Sequence, residues 1–218
     1  MGKLEANLNK NIILYHGSKG GLRGDINHNS RKECDFGSGF YMGTMKEQPL
    51  TLIATFDNPT LYTLEVNITD LKVYEFNLDL EWALFVAYNR GYMEDYKKTN
   101  LYKNFKKINE EYDLLVGYIA NDRMFYVLDS FFEGDITDTV LLKALSALKL
   151  GRQYVAKTDR ACSQIKIIKK EDLSTNQVKH YKQIGEKNRI EGARLAKSMM
   201  QKYRRDGKYI DELLGGEF

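Results

Sequence analysis

Cysteine is scarce in this 218-residue chain: there are two, Cys34 and Cys162. Two cysteines without metal-ligand spacing make neither a metal site nor a disulfide framework, and they point to a reducing, cytoplasmic setting. No apolar run approaches the length of a membrane span. Residues 1–10 are mixed polar and lack the apolar stretch of a secretory leader. Ala6 stands where an N-myristoylation signal needs Ser or Thr. Charge of one sign is lacking too. The net charge of +3 is too small by itself to argue for a nucleic-acid binder. A P-loop, a metal-binding cluster, a nucleophile elbow, an internal repeat and a low-complexity tract are all missing, which leaves no motif for P-loop, metal or Ser-His-Asp chemistry.

What is present suits a globular enzyme-sized domain. Apolar residues make up 43% of the chain, enough for a sizeable core, and charged residues 29%, enough for a hydrated surface. Fifteen tyrosines and ten phenylalanines suit strands and core packing, and some are suited to stacking on a flat heterocycle. Short apolar or alternating runs predict strands at 11–16, 40–42, 60–66, 71–76, 112–119, 153–156 and 165–168. Helices are expected from a Thr44 cap to about residue 56 with Pro49 in the first turns, and from an Asp79 cap to a stop at Gly91. Further helices are expected from Asn121-Asp122 to Gly134 and over 137–148. The stretch 93–111 reads as a solvated loop or irregular helix, and 20–34 as a long polar loop of the kind kept for function.

From about residue 176 strand formers vanish and Lys, Arg, Glu and Gln dominate. Ile190, Ala193, Leu195, Ala196, Met199, Met200 and Tyr203 predict one apolar face on a long helix. The expected architecture is α+β, two small packed sheets with interleaved helices, over 11–172, followed by a basic C-terminal helical extension at 176–218. The basic tail reads as a solvated helix face or as a site for a protein partner or an acidic surface.

Two short stretches carry chemistry. Tyr15-His16-Gly17-Ser18 closes the first strand, and Asp35-Phe36-Gly37-Ser38-Gly39-Phe40-Tyr41 leads from the polar loop into the second. Glycines at 37 and 39 free the backbone for positive φ and close approach. Ala120-Asn121-Asp122-Arg123 and Gln153-Tyr154-Val155-Ala156-Lys157-Thr158 follow in order. Together these motifs resemble the ADP-ribosyltransferase superfamily, in its diphtheria-toxin-like branch, and more closely an uncharacterised microbial family within it. The resemblance covers roughly 11–172 and rests on the order of the motifs more than on any one of them.

The resemblance implies an ADP-ribosyltransferase-like split β-sheet sandwich. It also implies a reaction in which NAD, as substrate, loses nicotinamide and gives ADP-ribose to an acceptor: protein, nucleic acid or small molecule. Under it His16 bonds the adenosine ribose, Gly17 offers its backbone to the nicotinamide carboxamide, Ser18 adds a hydroxyl, and Tyr41 stacks on the nicotinamide ring. Phe36, Gly37 and Gly39 belong to the NAD-binding stretch. The family's Glu is replaced by Gln153, which keeps a hydrogen bond but no charge and cannot act as a general base. Asn121-Asp122-Arg123 is either a helix N-cap with a surface Arg, or it places Asp122 near the cleft as a substitute acid or acceptor-orienting group with Arg123 facing phosphate or substrate. The alternatives on the same fold are a catalytically weak NAD-binding or partner-binding module, and an NAD glycohydrolase with water as acceptor. A role as toxin or phage-defence component follows from the resemblance alone.

Overall fold

The computed structural model describes residues 11–29, 34–119, 122–147 and 151–215, without the side chains of residues 122–125 and 196. The strands are β1 (Asn11–Ser18), β2 (Phe40–Gly43), β3 (Thr60–Asn67), β4 (Val73–Glu75), β5 (Leu114–Tyr118), β6 (Arg152–Ala156) and β7 (Ile165–Asp172). Among the described residues they form one mixed seven-stranded sheet in the order β4-β5-β6-β2-β1-β3-β7, not two separate sheets. The fold class is α+β, as expected. β1 pairs with β3 along its whole length, from Asn11 opposite Asn67 to Ser18 opposite Thr60. On its other edge β1 meets β2 at the single pair Tyr15–Gly43. The sheet is therefore two halves, β4-β5-β6-β2 and β1-β3-β7, joined at one point.

Strand alternation explains why the halves fold onto each other. Leu14, Tyr62, Leu64 and Val66 from one half share a buried cluster with Phe40, Met42, Leu114, Val116 and Ala156 from the other. The opposite faces of β5 and β6 present Leu115 and Val155 to the larger core, built by helices. Those helices are α2 (Leu80–Asn89), α3 (Asn100–Glu111), α4 (Asp122–Phe132) and α5 (Asp138–Ser146). Trp82, Phe85, Phe105 and Phe131 are fully buried there.

Helix α1 (Glu47–Ile53) follows β2 after three residues and lays Pro49, Leu50 and Ile53 against the sheet. Its N-cap is Lys46, without a side-chain cap bond. Thr44 is instead tied to β6, its N–H donating to the Arg152 carbonyl at 3.0 Å. A hydroxyl needs the right backbone turn as well as the right residue type, and Thr44 still belongs to the sheet's hydrogen bonding.

The stretch 93–111 is more regular than its composition suggests. A short 3-10 turn at Glu94–Tyr96 precedes α3, which Thr99 caps and which buries Phe105 and Ile108. The Asp79 cap of α2 is present, its carboxylate accepting from the Trp82 N–H, and Gly91 sits at φ 86° just past the helix. The cap expected at Asn121 lies outside the described residues.

The short α6 (Asp159–Ser163) leads to β7, and then the 29-residue α7 (Thr175–Tyr203) runs across α4, α5 and α1. A capping box at Ser174 and Gln177 starts α7. Its packed side is the expected one in part: Met199, Met200 and Tyr203 pack against the larger core, whereas Ile190 is 71% exposed. Buried Gly185 and Gly192 share the seam with those larger apolar side chains. The last helix, α8 (Ile210–Gly215), inserts Ile210, Leu213 and Leu214 into the larger core. The C-terminal segment thus completes the core of the domain before it.

Candidate functional site

The site lies where β1 and β2 part. Beyond the Tyr15–Gly43 pair the two strands stop exchanging backbone hydrogen bonds. Into that gap His16 places its ring, with Nδ1 2.7 Å from the Tyr41 carbonyl oxygen. A carbonyl only accepts, so Nδ1 carries the proton and Nε2 of the neutral ring is left as an acceptor. Burial lowers the His16 pKa, partly offset by this bond, which keeps the ring neutral near pH 7. The ring stacks on Phe40 at 4.3 Å.

Two cavities flank the split. The first, about 130 Å³, is lined by His16, Gly17, Tyr41 and Gln153, with Gln48, Pro49, Leu52 and Ile53 of α1 as one wall. The second, about 200 Å³, is lined by His16, Gly39, Phe40 and Tyr41 together with Leu22, Arg23, Asp25, Ile26, Asn27 and Asn29 of the polar loop. That loop is tied down: the Leu22 N–H donates to the Tyr62 hydroxyl at 2.8 Å, and the Ser38 hydroxyl donates to the His28 carbonyl at 2.8 Å. The imidazole, the His-Gly bend, the phenol and Gln153 of the motifs therefore converge on one cavity, although Gln153 lies more than a hundred residues from the others.

Gly17 has a structural reason to be glycine. A Cβ there would sit 2.8 Å from Ile53 Cγ2 and 3.0 Å from the Pro49 carbonyl oxygen, so α1 could not lie where it does. Helix and backbone close the cavity from that side.

Tyr41 is held through its hydroxyl, which donates to the Gly37 carbonyl at 2.6 Å and accepts from the Phe36 N–H at 3.0 Å. Burial, with the nearby Asp35 charge adding to it, raises its pKa well above the usual phenol value, so the hydroxyl stays protonated. The turn it grips is fastened elsewhere as well. Lys157 Nζ donates to the Phe36 carbonyl at 2.5 Å, and burial lowers that ammonium to about 8. Gly37 adopts φ 67°, and a Cβ there would meet Asn89 Oδ1 at 2.7 Å.

Asp35 is buried and forms an ion pair with Arg90, the residue that ends α2, Oδ1 to Nη2 at 2.7 Å and to Nε at 3.1 Å. Arg90 reaches on to Asp129 of α4 at 3.2 Å. Desolvation raises the Asp35 pKa and the guanidinium opposes it. Gln153 Nε2 donates to the Tyr118 carbonyl at 3.0 Å, and the nearby Gln153 side chain helps oppose the rise in the Asp35 pKa. With its amide nitrogen held by Tyr118, Gln153 has its side-chain oxygen left to accept from a ligand.

The remaining motif residues fall at varied distances from the cavities. Phe36 is fully buried in the larger core against Phe76 and Phe85, so it supports the turn and does not reach ligand space. Gly37 is buried in the turn, and Ser18 lies at the end of β1 opposite Thr60, outside both linings. Gly39 lines the second cavity, where a Cβ would overlap Val155. Asp122 and Arg123 open α4, but their side chains lie outside the described part of the structure.

Sequence reasoning missed the α1 wall and the Asp35–Arg90–Asp129 chain. A Pro49/Ile53 spacing of four just after the second motif was the only local sign of the wall. Gln48 adds a feature of interest: its Oε1 is buried on the cavity wall without a hydrogen-bond partner among the described residues. Unsatisfied buried acceptors are uncommon and often mark a place where a ligand or water completes the bonding. Among the described residues no cluster of His, Cys, Asp and Glu could hold a metal ion, and no helix is long and apolar enough to cross a membrane.

The model of one family, described as a protein of unknown function (DUF3990), matches residues 12–167. No curated protein matches the chain, and no solved structure does.

Proposed function

The chain belongs to the DUF3990 family, and we propose that it is an NAD-dependent ADP-ribosyltransferase with an ADP-ribosyltransferase-like split-sheet fold. The observation that carries the reading is the convergence of His16, Gly17, Tyr41 and Gln153 on one cavity at the split between β1 and β2. The residues present fit a bent dinucleotide: an aromatic face, a neutral imidazole with a free acceptor nitrogen, an oriented amide and a glycine bend. NAD is the substrate, and the residues at this site act without a metal.

In this reading Tyr41 holds the nicotinamide ring flat, its own ring fixed by the two hydrogen bonds of its hydroxyl. His16 Nε2 accepts from a ribose hydroxyl, the direction set by the proton on Nδ1. The bond between the nicotinamide nitrogen and the ribose anomeric carbon breaks, and its electron pair leaves with neutral nicotinamide. An acceptor hydroxyl or amine then forms a new bond to that carbon and loses its proton. Gln153 Oε1 accepts from a hydroxyl of the reacting ribose. The missing carboxylate charge costs on the order of 10²–10³ in rate.

The test is nicotinamide release by the purified protein, with labelled NAD used to find the marked acceptor. Tyr41→Ala is expected to abolish release, and Gln153→Glu to raise it. A specific observation favours a second reading: among the described residues the first cavity is lined by no carboxylate. NAD binding with no release by either the native protein or Gln153→Glu would make the chain a binding module. Free ADP-ribose with no marked acceptor would make it a glycohydrolase. Absence of NAD binding by calorimetry would end all three.

A further inference from the structure

Charge in this chain is segregated. Between residues 175 and 208 ten Lys and Arg face three Asp and Glu, while the whole chain carries only +3, so the remainder is net acidic. Helix α7 carries most of this segment, and its two sides differ. The inward side, centred on buried Gly185 and Gly192, lies against the domain. The outward side repeats at intervals of three and four residues and presents Lys179, Lys187, Arg194, Lys197 and, at the helix end, Arg204, all exposed. Gln183 and Gln201 fill the positions between, and Ile190 is the one apolar residue on that ridge. The ridge itself holds no acid; Glu186 and Glu191 stand beside it.

Helix α3 shows what an ordinary solvated helix does with its charges. There Lys106 pairs with Glu110 at 3.8 Å and Lys107 with Glu111 at 3.7 Å, each four residues on. Along the ridge of α7 the cations alternate with neutral residues, and where two are neighbours, Arg194 and Lys197, the pairing is repulsive. Among the described residues none of these five cations lies within ion-pair distance of a carboxylate.

We propose that the outward ridge of α7 docks the phosphate backbone of a nucleic acid. This inference is independent of the reading of the cavity. Protein interfaces have cores depleted in charge and enriched in aromatic residues, and the ridge is the reverse. A membrane-surface helix sets an apolar stripe beside its cations, whereas here the packed side of the helix is already covered by α1, α4 and α5. Nucleic-acid interfaces are polar and strongly positive, as this surface is. From Lys179 to Arg204 the ridge spans about 38 Å at 1.5 Å per residue, close to the ~34 Å of one duplex turn.

The experiment measures fluorescence anisotropy of labelled 20-mers, as duplex DNA, single-stranded DNA and RNA of one sequence, with the full chain. Binding of any of the three is expected, weakening with salt at a log–log slope of up to about −4.5 on a duplex for five phosphate contacts. The triple variant K187E/R194E/K197E is expected to lose at least tenfold in affinity. The matched control K103E/K106E/K107E on α3, with the same change in net charge, is expected to lose less than twofold, circular dichroism showing both folded. No binding of any probe at 50 mM salt overturns the proposal. So does an equal loss in both variants, and so does capture of poly-glutamate peptide or acidic vesicles in place of all three nucleic acids.

Discussion

The two edges of β1 make the most instructive contrast in this molecule. One edge pairs with β3 through eight residues, and the other meets β2 at one. The paired edge holds the sheet together. The open edge has given up backbone hydrogen bonds, and groups left unpaired must be satisfied in some other way. Here the His16 ring takes the Tyr41 carbonyl, α1 closes one side, and the Asp35–Arg90 pair supports the other. The candidate site exists because pairing stops, so the supports of the open edge should prove the sensitive ones.

The largest effect is expected from Asp35→Ala, which leaves the Arg90 guanidinium half-partnered in a buried place. A loss of about 3 kcal/mol in urea unfolding is expected, and a loss under 1 kcal/mol would show that the open edge does not depend on this pair. Next comes Gly17→Val, which forces α1 off the strand at a cost of about 2 kcal/mol. It should also abolish NAD binding in calorimetry; binding that survives would detach the cavity from the α1 wall.

Tyr41→Phe keeps the ring and removes the hydroxyl that grips Phe36 and Gly37. It is expected to cost about 1 kcal/mol in thermal unfolding while leaving NAD affinity within a few-fold. A complete loss of binding would give the hydroxyl, not the ring, the main role.

The pH dependence separates the edges further. Burial places the folded pKa of His16 below its ordinary 6.5. Just below pH 6.5 the unfolded chain therefore binds more protons than the native one, and stability falls as the pH drops through that window. It is full above 6.5. His16→Gln should flatten this acid limb, and an unchanged limb would move its origin to another group. The smallest effect is expected on the paired edge. Thr63 Oγ1 is buried without a partner among the described residues, so Thr63→Val should be neutral or stabilise by up to about 1 kcal/mol.

Legibility in the sequence followed the range over which each signal acts. The Asp79 cap, the Gly91 stop and the periodicity of α5 are written within one or two helical turns, and the structure carries them. Helix α3 was less legible because its two fully committed core residues, Phe105 and Ile108, are diluted among lysines and asparagines. The inward side of α7 was legible at Met199, Met200 and Tyr203 but not at Gly185 and Gly192, which a hydrophobic pattern scores as gaps. In the site, the spacing of the His-Gly and Phe-Gly-Ser-Gly-Phe-Tyr stretches was readable. Their support by Arg90, 55 residues from Asp35, was not.

By itself the sequence determined the α+β alternation, the short motifs and their order, because strand and helix periodicity and turn glycines act locally. Tertiary structure alone decided that β1 and β2 touch once and then part, that α1 walls the gap, and that Gln153 arrives there. Those placements depend on which strands pair and where pairing ends, a balance among contacts distant in the chain that no local pattern encodes.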